Sequence, residues 1–164
     1  MPFTPYHLGP GALFKAIGGK RFSFMVFGGS QVLIDIEPLV RIIRGDDILH
    51  GPTHTLFGAF SIAMVAGLSG KPISELVFRL AGMEQLKIGW GVSFVSAFAG
   101  TYSHIALDAV IHGDMRPLAP MADSNGLLDA ISVADMHLLC LASAALAGVI
   151  FLFRVRQTSH SEPR

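Results

Sequence analysis

The chain is organised around residues 103–114, which read Ser103-His-Ile-Ala-Leu-Asp-Ala-Val-Ile-His-Gly-Asp114. In a helix, His104, Asp108 and His112 fall at i, i+4 and i+8 and project from one slowly rotating face. The stretch follows an apolar segment that starts near Ile88, so these groups lie at one end of a predicted membrane-spanning helix. Buried imidazole and carboxylate groups are costly unless a partner neutralises them. The spacing alone fits both a metal site and a hydrogen-bonded His–Asp pair that ties helices together.

The composition is typical of an integral membrane protein. The 164 residues are 51% hydrophobic and only 15% charged, whereas soluble domains carry about 25% charged residues. We therefore predict an all-α membrane bundle. The formal net charge is zero and the sequence has no basic patch with interleaved aromatic residues, so no nucleic-acid partner is expected. The single cysteine, Cys140, excludes an internal disulfide and a Cys-x-x-Cys zinc site.

Apolar runs and turn residues predict four to five short transmembrane or re-entrant helices. The predicted helices are a first one to about residue 17, long apolar ones at 22–36, 53–68, 88–111 and 133–153, and a short amphipathic one at 74–80. Pro38 marks a helix end, and the polar segment 41–49 is a predicted loop. Ser93, Ser96 and Gly100 form a stripe of small residues that predicts close helix packing in lipid.

We expect a single membrane-embedded domain over residues 1–156 and a disordered cytoplasmic tail over residues 157–164. Several of the helices are short for a hydrocarbon core of about 30 Å, which needs roughly 20 residues. A polar site at their ends is therefore expected to be recessed into the bilayer.

The basic residues orient these helices. If the helices alternate in direction, three basic clusters fall on one side, which the positive-inside rule makes cytoplasmic. The clusters are Lys15, Lys20 and Arg21; Lys71, Arg79 and Lys87; and Arg154 and Arg156. The opposite side receives nearly all the histidines and most of the carboxylates. This sharing of one membrane face favours a common polar site over separate helix caps.

Imidazole and carboxylate groups without thiolates suit zinc, and also manganese or iron. More than four candidate ligands lie on this side, enough for one to three ions. His104 and Asp108 form the best pair. His50 and His54 flank the helix start at Pro52, and each could face the site or cap the preceding loop.

The remaining candidates each have an alternative role. Asp35 and Glu37 point to different sides of a helix, so we expect one to bind metal and the other to orient a ligand histidine. His112 and Asp114 lie where the helix frays, and Asp114 could be a ligand or a cap. Arg116 could contact an anionic substrate or pair with Asp114.

The chemistry that such a site supports best is hydrolysis. A divalent metal lowers the pKa of bound water and stabilises charge on a phosphoryl or carbonyl oxygen. The sequence contains no Gly-Lys-Ser/Thr loop, no Gly-x-Ser-x-Gly elbow and no dinucleotide fingerprint. These absences argue against nucleotide-driven transport, serine hydrolysis and redox chemistry. Two alternatives remain: a metal-ion transporter, and a non-catalytic membrane protein with a structural metal site.

The chain resembles the bacterial YdjM-like membrane-bound metal-dependent hydrolases in the order of its motifs. These motifs are Asp35-Ile-Glu37, His50-Gly-Pro-Thr-His54, and Ser103-His104-x-x-x-Asp108 followed by Arg116-Pro-Leu-x-Pro120. The resemblance runs from His7 to about Pro120, and that family is distantly similar to the zinc-dependent phospholipase C and single-strand nuclease group. It implies metal-ligand roles for His7, Asp35, His50, His54, His104 and Asp108.

The chain departs from that family at three points. Glu37 stands where an Asp is usual, and residues 112–114 form an insert that indicates a subgroup. The second His-x-x-x-Asp pair of the distant relatives is missing. The number of metal ions is therefore left open.

The sequence thus predicts a multi-pass protein of the bacterial inner membrane, with its site facing the periplasm and its C-terminus in the cytoplasm. Its expected activity is hydrolysis of an ester or phosphoester by a metal-bound hydroxide, with a lipid or lipid-linked phosphate from the bilayer as substrate. Glu37 or His50 is the predicted general base and Arg116 the predicted substrate contact. The predicted metal ligands are His7, Asp35, His50, His54, His104, Asp108, His112 and Asp114. The sequence does not determine the oligomeric state.

Overall fold

The computed structural model describes residues 5–161, with side chains described through Gln157. Within that range the chain is all-helical and forms no strand, which confirms the predicted fold class. The α-helices are α1 (Leu8–Gly18), α2 (Phe24–Ile34), α3 (Ile36–Arg44), α4 (Leu56–Leu80), α5 (Trp90–Ile111) and α6 (Val133–Ser161). Short 3-10 helices precede α1 at Pro5–His7, precede α2 at Gly19–Arg21 and precede α4 at Pro52–His54.

Three of the described helices, α4, α5 and α6, are long and apolar enough to cross a membrane. The prediction was four to five spanning or re-entrant helices. Helices α1 and α2 have 11 residues each, so each extends about 16 Å. That length is about half of a hydrocarbon core of ~30 Å.

Two prolines that were expected outside helices lie within them. Pro38 falls in the first turn of α3, where backbone N–H groups have no acceptor within the helix, so the N–H that proline lacks costs no hydrogen bond. The helix therefore continues to Arg44, into the segment predicted as a loop. Pro72 lies inside α4, which runs through the predicted connection to Leu80. Membrane helices tolerate such a proline because neighbouring helices compensate for the lost bond.

The last helix is also longer than predicted. It continues to Ser161, so residues 157–161 are helical where a disordered tail was expected. The rest of that predicted tail, residues 162–164, lies outside the described residues. The start of α6 lies where the sequence predicts it. There Ser132 accepts from the backbone N–H of Asp135 and donates to the Asp135 carboxylate, as in a capping box.

Helix α5 packs closely against α2 and α4 through its small residues, as predicted. Ser93 donates to the carbonyl of Gly67 on α4 at 2.7 Å. Ser96 accepts from the backbone N–H that precedes α2 at 2.8 Å. A Cβ added to Gly100 would lie 1.9 Å from Oγ of Ser30, so only glycine allows α2 this close. These contacts place the end of α2 beside the second half of α5.

Candidate metal centre

Six buried ligand residues converge near the C-terminal end of α5. They are His7 before α1, Asp35 between α2 and α3, His50 and His54 before α4, and His104 and Asp108 on α5. Their exposed fractions lie between 1% and 8%. His104 stands two turns before the end of α5, about 10 Å along its axis. Candidate ligands that lie on separate elements therefore come together inside the bundle, about 10 Å short of the C-terminal end of α5.

The inner group consists of Asp35, His54, His104 and Asp108, whose ligand atoms all lie within 4.8 Å of one another. Nε2 of His104 lies 3.2 Å from Oδ1 of Asp35 and 3.1 Å from Oδ2 of Asp108. Nε2 of His54 lies 3.7 Å and 3.8 Å from the same two oxygens. Ligand atoms of a tetrahedral zinc site with bonds of about 2.0–2.1 Å are separated by about 3.3 Å. This group could therefore hold a metal ion.

Gln31 orients the ring of His104. Its Nε2 donates to the carbonyl of Gly100 at 3.2 Å, which turns its Oε1 toward Nδ1 of His104. An amide oxygen can only accept, so Nδ1 of His104 carries the ring proton. Nε2 of His104 is left with a lone pair that faces the two carboxylates.

Thr53 and Glu37 orient His54 in the same way. The Thr53 hydroxyl donates to the Glu37 carboxylate and accepts from Nδ1 of His54 at 3.0 Å. Burial raises the pKa of Glu37, but hydrogen bonds from Thr53 and Arg41 outweigh it and hold that pKa below its usual value. Glu37 therefore stays ionised and serves as the acceptor at the end of this chain, as expected of the carboxylate that orients a ligand histidine; its role as a general base stays a prediction.

Asp114 orients His50. Its Oδ1 accepts from Nδ1 of His50 at 2.8 Å, and its Oδ2 accepts from the backbone N–H groups of Leu49 and His50. Burial raises the pKa of Asp114, but these hydrogen bonds outweigh it and lower that pKa to about 2. In the structure Asp114 thus holds a histidine and caps the preceding loop, and its role as a metal ligand stays a prediction.

The contacts of His50, His54 and His104 at Nδ1 all fit one tautomer, with the proton on Nδ1, which leaves Nε2 of each ring as the candidate metal ligand. Nε2 of His54 and of His104 are buried and have no hydrogen-bond partner. Although the carboxylate oxygens are close, they too are acceptors. Buried acceptors that face one another are costly unless a proton or a metal cation lies between them. The donor set therefore fits a divalent ion.

A second group shares Asp108 with the first. His50, Asp108 and His112 also bring ligand atoms within 4.8 Å of one another. Nε2 of His50 lies 3.9 Å from Oδ2 of Asp108, and the rings of His50 and His112 lie 4.3 Å apart. Asp108 would therefore be shared if both groups held an ion, as in a two-metal site.

His7 adds a further nitrogen beside this shared carboxylate. Its Nε2 lies 3.3 Å from Oδ1 of Asp108, and its ring meets that of His104 edge-on at 4.8 Å. Both of its ring nitrogens are buried without a hydrogen-bond partner. Burial lowers the pKa of His7 to about 4 despite the opposing charge of Asp108, so its imidazole is neutral near pH 7.

Arg116 is placed away from these contacts. Its side chain is 58% exposed and pairs with Asp123 at 3.2 Å, rather than with Asp114. The predicted contact between Arg116 and a substrate stays a prediction, and its geometry does not favour it.

Sequence reasoning missed the two residues that orient the inner histidines. Gln31 is an amide within the apolar run of α2, one turn before Asp35, and a polar group in such a run signals a buried partner. Thr53 is adjacent to His54, but its hydrogen-bond partner Glu37 is 16 residues away. Nothing local in the sequence indicates that pairing.

The metal centre opens onto a cavity of about 990 Å³. His7, Gln31, Asp35 and His104 line one part of it, and most of the remaining wall is apolar. The site is therefore buried from bulk water but is not sealed within the protein.

No protein-family model matches the chain, and no curated protein or solved structure matches it. The fold and the site by themselves define the class. The chain is an all-helical protein with three membrane-like helices and a buried His/Asp cluster that could hold a metal ion.

Proposed function

We propose that this protein is a membrane-bound, metal-dependent hydrolase of esters or phosphoesters, related to the YdjM-like proteins that it resembles. The observation that carries the proposal is the hydrogen bond that His50, His54 and His104 each make at Nδ1 to an oxygen that can accept the ring proton. This leaves Nε2 of all three rings facing Asp108, and Nε2 of His54 and His104 facing Asp35 as well. Such partners behind metal-ligating histidines fix the ring and raise its basicity.

Asp35, His54, His104 and Asp108 hold the first ion. His50, His112 and the shared Asp108 hold the second, with His7 beside the shared carboxylate. Zinc is the favoured metal because the ligands are imidazoles and carboxylates at near-tetrahedral spacing. When bound, such ions lower the pKa of a coordinated water and polarise a phosphoryl oxygen.

The cavity favours an enzyme over the two alternatives. A structural metal site needs no opening, yet His7, Asp35 and His104 line a cavity large enough for a small molecule. A transporter needs ligands at successive depths. Along α5 before His104, the buried residues are Ser93, Ser96, Ala97, Gly100 and Thr101, and none of them is a histidine or a carboxylate.

The site faces the periplasm and the C-terminus lies in the cytoplasm of a bacterial inner membrane. Helices α4, α5 and α6 span the bilayer, and the shorter α1 and α2 run from the recessed site toward the cytoplasmic side. Support comes from the basic residues: Lys15 donates to the carbonyl of Phe22 before α2, and Arg154 donates to the carbonyl of Ile17. These cations lie at the ends of α1 and α6 remote from the site, where the positive-inside rule expects them.

The test is hydrolysis by the purified full chain in detergent, supplied with zinc or manganese. The panel contains a phosphomonoester, a phosphodiester and phospholipids, and bound metal is measured in the same samples. Wild type is expected to be active only with metal, whereas His104→Ala and Asp108→Asn fall to background. Ser93→Ala is the matched control, because it removes a buried hydrogen bond of α5 away from the site. A fully metal-loaded wild type that is inactive on every substrate overturns the proposal.

A further inference from the structure

A groove starts beside the candidate metal centre and runs along one face of α2. Met25, Gly28, Val32 and Asp35 line it at intervals of one helical turn. It belongs to the cavity of about 990 Å³ that reaches His7 and His104. The groove therefore begins at the buried metal-facing nitrogens and follows the helix toward its start.

The two ends of the groove differ in chemistry. At the metal end His7 and His104 line the cavity, and the buried Nε2 of each has no hydrogen-bond partner. Between the ends the wall is apolar, with Leu8 from α1 on one side and Phe78 and Ile88 from the α4–α5 region on the other. A ligand that matches this wall has one polar group and an apolar body.

The groove has the length of one lipid leaflet. From Phe24 to Asp35 the axis of α2 advances about 16 Å, and half of a hydrocarbon core of ~30 Å is about 15 Å. The groove is also open along its side, since Phe24, Met25 and Val32 line it and remain 37%, 37% and 51% exposed. A chain can enter sideways from the bilayer.

Two adjacent glycines make the groove wide enough for such a chain. A Cβ added to Gly29 would meet no atom within 4 Å, and one added to Gly28 would touch only Leu8, at 3.7 Å. Neither glycine is required by tight helix packing, in contrast to Gly100. The space beside them is free for a ligand.

We propose that this groove holds one hydrocarbon chain of an amphiphilic substrate whose phosphate group lies at the metal centre. The proposal rests on the proposed function for the role of the metal and adds the substrate class. The chain runs from Asp35 toward Phe24, and its end lies near the start of α2. At that far end Lys15, Lys20 and Lys87 also line the cavity, and the ammonium of Lys15 donates to the carbonyls of Gly19 and Phe22. A phosphate held by these lysines instead of at the metal centre would place the end of the chain near Asp35.

The test is photocrosslinking with dodecylphosphonate that carries a diazirine at the end of its chain. Its carbon–phosphorus bond makes the probe independent of hydrolysis. The zinc-loaded full chain in maltoside micelles is irradiated, and adducts are located by mass spectrometry. Adducts are expected at Phe24 and Met25, where the chain ends.

Gly29→Leu fills the groove from a position where an added Cβ meets no protein atom within 4 Å. Overlap with the bound chain is expected to cost as much as overpacking a core, which reduces adduct yield roughly fivefold or more. Gly148→Leu is the control: Gly148 is an exposed glycine on α6, and a Cβ there also meets nothing within 4 Å. It should leave the adducts unchanged, and the zinc affinity of all three proteins should agree.

Adducts concentrated near Asp35 reverse the orientation and overturn the proposal. Equal yields from wild type and Gly29→Leu also overturn it. The two proposals fail separately. If the expected adducts form on a protein that hydrolyses nothing, the proposed chain-binding groove stands and the proposed hydrolase activity is refuted. Conversely, if the protein hydrolyses soluble phosphodiesters and Gly29→Leu has no effect on crosslinking, the proposed hydrolase activity stands and the proposed chain-binding groove is refuted.

Discussion

Replacement of Gln31 by leucine tests the orientation of the metal-facing histidines most directly. The amide of Gln31 accepts from Nδ1 of His104 and donates to the carbonyl of Gly100. Leucine has a similar size and can do neither. The carbonyl of Gly100 keeps a donor, because the Ser103 hydroxyl lies 3.1 Å from it. The substitution therefore leaves one buried group without a partner, the N–H at Nδ1 of His104.

The cost of that group falls on the metal-bound form. With metal at Nε2, the ring proton must stay on Nδ1, and a buried unsatisfied donor costs about 1–3 kcal/mol. Without metal, the proton can move to Nε2 and be donated to Asp35 or Asp108, each within 3.2 Å. Metal affinity should therefore fall about 10- to 100-fold, the range seen when partners behind metal ligands are removed.

The assay is zinc titration against a competing chelator, with the protein in detergent. Ser93→Ala is the matched control: it removes a buried hydrogen bond from the same helix, about 16 Å along the axis from His104. Hydrogen bonds between membrane helices contribute about 0.6 kcal/mol on average, so the control should lose a little stability and no zinc affinity. Thermal unfolding of the metal-free proteins measures that stability separately.

Two results would refute the reasoning. In the first, Gln31→Leu binds zinc as tightly as wild type, which means that the amide does not set the ring. In the second, Gln31→Leu and Ser93→Ala lose the same affinity, which means that the loss follows general destabilisation of α5.

Three further predictions follow from the same contacts. Zinc at 100 times its dissociation constant should stabilise the wild type by about 2.7 kcal/mol. The measurement is a rise in unfolding temperature that a chelator reverses and that Asp108→Asn abolishes. An unfolding temperature that does not change with zinc contradicts the metal centre. Gly100→Ala should cost about 1–3 kcal/mol, because its Cβ would lie 1.9 Å from Oγ of Ser30, whereas Gly91→Ala, with no atom within 4 Å, should not destabilise the fold; chemical unfolding that ranks the two variants equally removes the close-packing argument. A reporter fused to the C-terminus should be found in the cytoplasm, and its detection on the outer side reverses the proposed orientation.

Local sequence patterns determined the helices and the ligand types. Apolar runs of helical length predicted the membrane-like segments, and the four-residue spacing of His104 and Asp108 placed both on one face of α5 before any tertiary contact was known. Helix ends were less predictable. Pro38 suggested a helix end, and residues 69–73 were expected between two helices, but tertiary packing and the position of a proline within a helix decide whether the backbone continues.

Only the tertiary structure decided which polar groups face the metal and which hold the ligands. The sequence did not decide which of Asp35 and Glu37 faces the metal site. In the fold Asp35 lies beside His104, and Glu37 accepts a hydrogen bond from Thr53. It also assigned Asp114 to His50 and Gln31 to His104, pairs that are 64 and 73 residues apart. Helix periodicity reports the face on which a side chain lies, whereas a hydrogen bond across the bundle depends on how separate helices are packed, which no local pattern encodes.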